Sequence, residues 1–155
     1  MSASSERVDR ASRLVAAPVS RVYAALVDAA SLEQWLPPEG ATGTVEEFEP
    51  RPGGAFRMTL RFETDGIGKT TQNTDVVNGR FIELEPDRRI VQEIDFVSND
   101  PAYAGTMRMT WTTEPQGDGT LVTVMAEHVP VGVSPEDHAQ GLASSLANLA
   151  AFVED

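Results

Sequence analysis

The sequence of 155 residues contains no cysteine, little positive charge and no long apolar run. The absence of cysteine excludes disulfide bonds, thiolate zinc sites and a thiol nucleophile. A membrane-spanning helix needs about 20 mostly apolar residues in a row, and no segment approaches that length. The first ten residues, MSASSERVDR, also lack the apolar core of a signal peptide. We therefore expect a cytoplasmic protein without membrane insertion.

Positive charge is scarce and unevenly placed along the chain. The 24 acidic residues outnumber the 12 basic ones, which gives a net charge of −12. No Lys or Arg follows Arg108. Nucleic acids and anionic lipids are bound largely through clustered positive charge, because counterion release supplies much of the affinity. The charge distribution therefore predicts no nucleic-acid partner.

Two glycine-containing segments resemble phosphate-binding loops, but neither fits the pattern. Residues 65–72, DGIGKTTQ, end like a P-loop, yet Glu63 occupies the position where that motif needs its first glycine. Residues 51–58, RPGGAFRM, are not followed by a helix that could present N–H groups to a phosphate. We interpret the first segment as a solvated hairpin tip. The second is expected to be a turn in which Gly53 and Gly54 supply a positive φ.

The chain contains no recognisable catalytic set. His128 and His138 are separated by ten positions, which matches no common metal-ligand spacing. There is no Gly-x-Ser-x-Gly nucleophile elbow. No catalytic residue, metal or cofactor is therefore predicted, although an enzyme remains an alternative if Glu127, His128 or His138 faces a cavity.

Hydrophobic periodicity predicts one strand, two short helices, about six more strands and a long C-terminal helix. Pro18 and the apolar stripe over residues 19–27 indicate the first helix. Strict alternation over residues 55–63, AFRMTLRFE, indicates the clearest strand. Ser134 followed by Pro135 is typical of the start of a helix. Short loops between successive strands favour an antiparallel sheet.

These elements predict an α+β fold in one domain over residues 1–155, with a core over 8–153. A curved antiparallel sheet of about seven strands would surround the long C-terminal helix, which must cover the apolar face of the sheet. The enclosed space is either filled by side chains or left as a cavity for an apolar molecule. Both alternatives stay open at this point.

The candidate lining residues of such a cavity are inward-facing side chains of the strands, the second helix and the last helix. Gln92 has the same parity as Ile94, so its amide is expected to point inward and need a partner. Ser145 is a further expected inward polar group. The full candidate set is Trp35, Phe56, Met58, Leu60, Gln92, Ile94, Phe96, Met107, Met109, Trp111, Leu142, Ser145, Leu146 and Leu149.

The chain resembles the START-like (SRPBCC) helix-grip superfamily, and within it the family named after the activator of the heat-shock protein 90 ATPase. The similarity lies in four segments: AAPVSRVYAALVDAASLEQWLPP, EFEPRPGGAFRM, FIELEPDRRIVQE and GLASSLANLAAFVE. It covers about residues 8–153 and implies a helix-grip fold with a cavity beneath the C-terminal helix. Leu142 stands where the family usually has Trp, and losing the indole would either enlarge that cavity or remove a surface on which a ligand stacks.

The resemblance implies three functions. The first expectation is the binding of a small apolar molecule between the sheet and the C-terminal helix, without intrinsic catalysis. The alternatives are a cochaperone that stimulates a heat-shock protein 90 type ATPase and an enzyme similar to polyketide cyclases or hydrolases. The sequence leaves the chaperone partner open, and it does not decide between a monomer and a homodimer.

Overall fold

The structure, a computed structural model, describes residues 7–38, 40–64, 66 and 68–154. This part of the chain forms a single sheet, three α-helices and one short 3₁₀ helix at Pro101–Tyr103. The elements are, in chain order, β1 (Val8–Val15), α1 (Val19–Leu26), α2 (Ala29–Trp35), β2 (Ala41–Phe48), β3 (Ala55–Phe62), β4 (Thr74–Glu85), β5 (Arg89–Phe96), β6 (Met107–Gln116), β7 (Gly119–Glu127) and α3 (Pro135–Val153).

The sheet has seven strands in the order β1-β7-β6-β5-β4-β3-β2, and every neighbouring pair is antiparallel. The register shifts between Val45 and Glu47 in β2 and between Phe81 and Glu83 in β4. Such bulges add bend and twist, which helps the sheet to curl into a half-barrel. The predicted α+β helix-grip fold is confirmed.

Alternation of side chains creates the two faces of the sheet. In β6, Met107, Met109 and Trp111 are buried while the residues between them are partly exposed. The alternation thus buries one row of β6 side chains on the concave face. The 3₁₀ helix was not predicted, because three residues are too few to show a periodic pattern. The carboxylate of Asp100 begins it by accepting the N–H of Ala102 at 2.9 Å.

Helix α3 holds the end of α2 in place. It begins at the predicted cap, where the Ser134 hydroxyl accepts the N–H of Asp137 at 3.3 Å. Further along, Ser145 Oγ donates to the carbonyl oxygen of Leu36 at 2.8 Å. Asn148 Nδ2 donates to the carbonyl oxygen of Pro37 at 3.0 Å. Leu36 and Pro37 follow α2 directly. The two hydrogen bonds therefore give partners to carbonyl oxygens at the C-terminal end of α2 and fix the position of that end.

Lys69 does not sit at a solvated hairpin tip, as the sequence had indicated. Its Nζ lies 2.7 Å from Oδ2 of Asp75, and its backbone N–H donates to Oδ1 of the same residue at 2.6 Å. The ammonium also lies 4.9 Å above the ring centroid of Phe96. Asp75 is only 3% exposed. Because a buried carboxylate needs a partner, Lys69 folds back over the sheet and anchors the β3–β4 connection.

The two adjacent glycines before β3 have different roles. Gly53 has a φ of 82° and makes the turn, as expected. Gly54 does not have a positive φ, which corrects the sequence-based interpretation. A Cβ atom on Gly54 would instead lie 1.9 Å from the carbonyl oxygen of Glu49. Glycine is needed there because two backbone segments approach each other closely.

We expect Gly54→Ala to destabilise the protein by about 2 kcal/mol or more, because the backbone must move to admit the methyl group. The matched control is Gly141→Ala in α3, where a Cβ would meet nothing within 4 Å. There alanine should be neutral or stabilising, since it favours helix more than glycine does. Urea unfolding measures both, and equal stability of the two variants would contradict the account.

We expect Lys69→Met to lower the free energy of unfolding by about 3 kcal/mol, because it leaves the buried Asp75 carboxylate without its cation. Adding Asp75→Asn to this variant removes the uncompensated charge. The double variant should therefore be more stable than Lys69→Met alone in urea unfolding. A double variant less stable than the single one would show that the ion pair does not anchor this connection.

Candidate functional site

A cavity of about 100 Å³ lies between the concave face of the sheet and the helices α1 and α2. Its floor is built by β3, β4, β5 and β6, and its roof by the end of α1, by α2 and by the residue after α2. Apart from one glutamine, every lining side chain is apolar or aromatic. The lining residues are Leu26, Leu32, Trp35, Leu36, Phe56, Met58, Leu60, Val77, Ile90, Gln92, Ile94, Met109 and Trp111.

The roof of the cavity is held rigidly by Trp35. Its side chain is 1% exposed, and its Nε1 donates to the carbonyl oxygen of Ala25 in α1 at 3.0 Å. The Trp35 ring meets the ring of Trp111 in an edge-to-face arrangement, with centroids 5.5 Å apart. On the other side of α2, a carboxylate oxygen of Glu33 accepts the N–H of Val45 at 2.7 Å. Helix α2 is therefore tied to α1 and β2 as well as to α3.

The structure brings many of the sequence-predicted site residues together at this cavity. One comes from α2, three from β3, two from β5 and two from β6. They are Trp35, Phe56, Met58, Leu60, Gln92, Ile94, Met109 and Trp111.

The candidate residues of α3 are not among the lining residues. Leu142, Leu146 and Leu149 are buried in the hydrophobic core, and Ser145 bonds to Leu36. The reason is the position of the helix: α3 packs mainly along β1 and against α1 and α2, whereas the cavity lies beneath α2 over β3 to β6. Leu142, at the position where the family usually has Trp, is accordingly not a lining residue of this cavity.

Phe96 and Met107 also lie outside the cavity lining. Both are inward-facing: Met107 pairs with Ile94, and Phe96 lies two residues beyond Ile94 in β5, opposite Val77. Phe96 packs under the ammonium of Lys69, and Met107 is buried in the core.

Five lining residues were absent from the predicted set. They are Leu26, Leu32, Leu36, Val77 and Ile90. Ile90 has the same parity as Gln92, and Leu26 belongs to the apolar stripe of α1. The sequence pattern therefore indicated that both residues face inward. No sequence pattern indicated the orientation of Leu32 and Leu36, because a helix as short as α2 shows no clear periodicity.

The cavity offers no group for acid–base chemistry. No titratable side chain lines it among the described residues. His138 lies instead with Nδ1 2.6 Å from Oδ2 of Asp9. Side chains with a shifted pKa also lie outside the cavity. Burial raises the pKa of Tyr23, and hydrogen bonds from Arg108 and Arg80 lower the pKa of Glu93. Across the described ranges, no cluster of metal-binding side chains is found.

Two polar groups of the cavity are without a partner. Neither the side-chain amide of Gln92 nor the indole N–H of Trp111 makes a hydrogen bond within the described part of the chain. The indole N–H of Trp35, in contrast, donates a hydrogen bond to the carbonyl oxygen of Ala25. The Gln92 amide and the Trp111 N–H are the polar features that an occupant of the cavity would meet.

Among the described helices, none has the length and apolar character to span a membrane.

The comparisons with known proteins agree with this architecture. Protein CV1439 from Chromobacterium violaceum is 34% identical, has a TM-score of 0.85, and the match covers 96% of this chain and 97% of that one. A protein from Rhodobacter sphaeroides is 22% identical with a TM-score of 0.77, over 97% and 92% of the two chains. DynU16, from the dynemicin biosynthetic locus, is 21% identical with a TM-score of 0.69, over 95% and 47%. No curated protein matches the chain.

The sequence profile of one family matches residues 16–154, which includes every element from α1 to α3. Its description is Activator of Hsp90 ATPase homolog 1-like protein. The chain therefore belongs to the family of the Activator of Hsp90 ATPase homolog 1-like proteins.

Proposed function

We propose that this protein binds a small, uncharged, largely apolar molecule in the cavity beneath α2. The observation that carries the proposal is the void of about 100 Å³ with walls that are apolar except for Gln92. An apolar cavity of about 150 Å³ in a protein interior stays dry and takes up benzene. The void of this protein is thus suited to a single ring or a short branched chain.

The void has a cost that a purely structural core would avoid. At about 24 cal/mol per Å³, an empty apolar space of 100 Å³ costs roughly 2 kcal/mol of stability. An occupant that packs against the walls would recover this energy. The energetic cost of the empty space therefore supports a role for the cavity in binding.

The walls combine fixed and adaptable parts. Trp35 is held by its hydrogen bond to Ala25. Met58 and Met109 form part of the floor, and unbranched methionine side chains adjust readily to different shapes. Small movements of these two side chains would let the cavity accept molecules somewhat larger than the void.

The catalytic alternative has less support from the site. DynU16 comes from a biosynthetic locus by its name, but its likeness to this chain is one of fold. General acid–base catalysis needs a titratable group within reach of the substrate. Among the described residues none lines the cavity, so binding is favoured over catalysis. A cochaperone role has only the family description in its favour.

Intrinsic fluorescence provides a direct test, because the chain has only two tryptophans and both line the cavity. We expect α-methylstyrene, a compact aromatic hydrocarbon, to change the tryptophan emission in a saturable manner. Val77→Phe should abolish this response, because the added ring fills the void from the floor. Urea unfolding should show that the filled variant is at least as stable as the natural protein.

The matched control is Val76→Phe. Val76 precedes Val77 in β4, and its side chain points to the opposite face of the sheet. This variant should bind α-methylstyrene as the natural protein does. No saturable response of the natural protein, or equal binding by both variants, would refute the proposed function.

A further inference from the structure

We infer that the occupant of the cavity carries a hydrogen-bond acceptor, as a neutral ketone, ester or lactone does, and that Gln92 and Trp111 recognise it. This inference rests on the proposed function and specifies the class of ligand. It starts from the two polar groups of the cavity that have no partner.

The unsatisfied state of these groups is the first argument. Buried polar groups in proteins almost always have a hydrogen-bond partner, and leaving one unpaired costs about 1–3 kcal/mol. Within the described residues, Thr113 Oγ1 is the one fully buried polar side-chain atom without a partner. The Gln92 amide and the Trp111 N–H face the cavity and also have no partner there. The other indole of the cavity, that of Trp35, is satisfied by Ala25. The two polar groups without a hydrogen-bond partner thus lie on the floor of the cavity and not on its roof.

The register of the sheet places the two groups side by side. Gln92 lies opposite Met109, and Trp111 lies opposite Ile90 on the neighbouring strand. Gln92 and Trp111 are therefore diagonal neighbours on one face, a geometry in which Cβ atoms lie somewhat less than about 8 Å apart. Both side chains are long enough to reach a common point between them. A single ligand atom could accept from both.

The chemistry of the two groups selects an acceptor. An indole N–H only donates, whereas a glutamine amide both donates and accepts. The capacity that they share is donation, and the ligand atom that satisfies both is a carbonyl or ether oxygen. An apolar molecule of the same shape would leave both groups unpaired.

The charge of the surroundings excludes an anionic ligand. No charged side chain lines the cavity in the described part of the chain. A carboxylate would be buried there without a counterion, at a large cost in solvation energy. The acceptor therefore belongs to a neutral molecule, and the volume of about 100 Å³ limits the molecule to roughly one ring.

The experiment compares acetophenone with α-methylstyrene, which has the same shape but a CH₂ group in place of the carbonyl oxygen. Isothermal titration calorimetry measures the Kd of each probe for the natural protein and for Gln92→Met, which keeps the size of the side chain. We expect this substitution to shift the ratio of the two Kd values about tenfold in favour of the hydrocarbon, because one hydrogen bond is lost. Trp111→Phe, which removes the N–H donor together with part of the indole but keeps an aromatic ring, should shift it in the same direction.

The control is Thr110→Val, on the face of β6 opposite to Trp111, which should leave the ratio unchanged. If both probes bind and neither Gln92→Met nor Trp111→Phe changes their ratio, the inference is overturned and the proposed function stands. If neither probe binds to the natural protein, the proposed function fails and the inference fails with it. Binding of α-methylstyrene by a variant also shows that its cavity has formed.

Discussion

The space beneath α2 depends on how α2 is held. The carbonyl oxygens that follow this helix accept hydrogen bonds from Ser145 and Asn148 of α3. Trp35 ties the helix to α1 and Glu33 ties it to β2. With its end anchored by polar bonds, α2 is fixed above the floor instead of collapsing onto it. Hydrogen bonds to α1, β2 and α3, together with apolar contacts, thus hold α2 over the sheet.

The fold could be predicted from the sequence because each element repeats a simple signal. Alternation in residues 107–111 places Met107, Met109 and Trp111 on one face, and the structure confirms this. The cap at Ser134 is likewise a local feature of sequence, and its hydrogen bond is present. Such signals depend on near neighbours in the chain, which a single sequence displays directly.

The outline of the cavity could be predicted only in part. Parity shows that Ile94 and Phe96 both face inward, but it does not show that only Ile94 lines the cavity. The position of α3 along β1 is a result of packing across the whole domain, so the sequence did not reveal that Leu146 lies in the core instead of the cavity. Periodicity identifies the face of a residue, whereas depth within the fold is set by distant partners.

Polar side chains were the hardest to interpret, for the same reason. Ser145 was correctly expected to turn inward, yet its partner, the Leu36 carbonyl, is 109 positions away in the chain. Lys69 resembled a solvated loop residue until the structure placed the buried Asp75 beside it. The requirement that a buried polar group find a partner holds in both cases. Gln92 and Trp111, which line the cavity, have no such partner among the described residues.

The most direct measurement is the ¹H–¹⁵N NMR spectrum of the protein during a titration with acetophenone. The two tryptophans give two indole N–H signals, one from each wall of the cavity. The signal of Trp111 is expected to move saturably as its N–H gains an acceptor, and that of Trp35, already bonded to Ala25, is expected to move much less. Binding in calorimetry without movement of the Trp111 signal would place the ligand elsewhere and contradict the account.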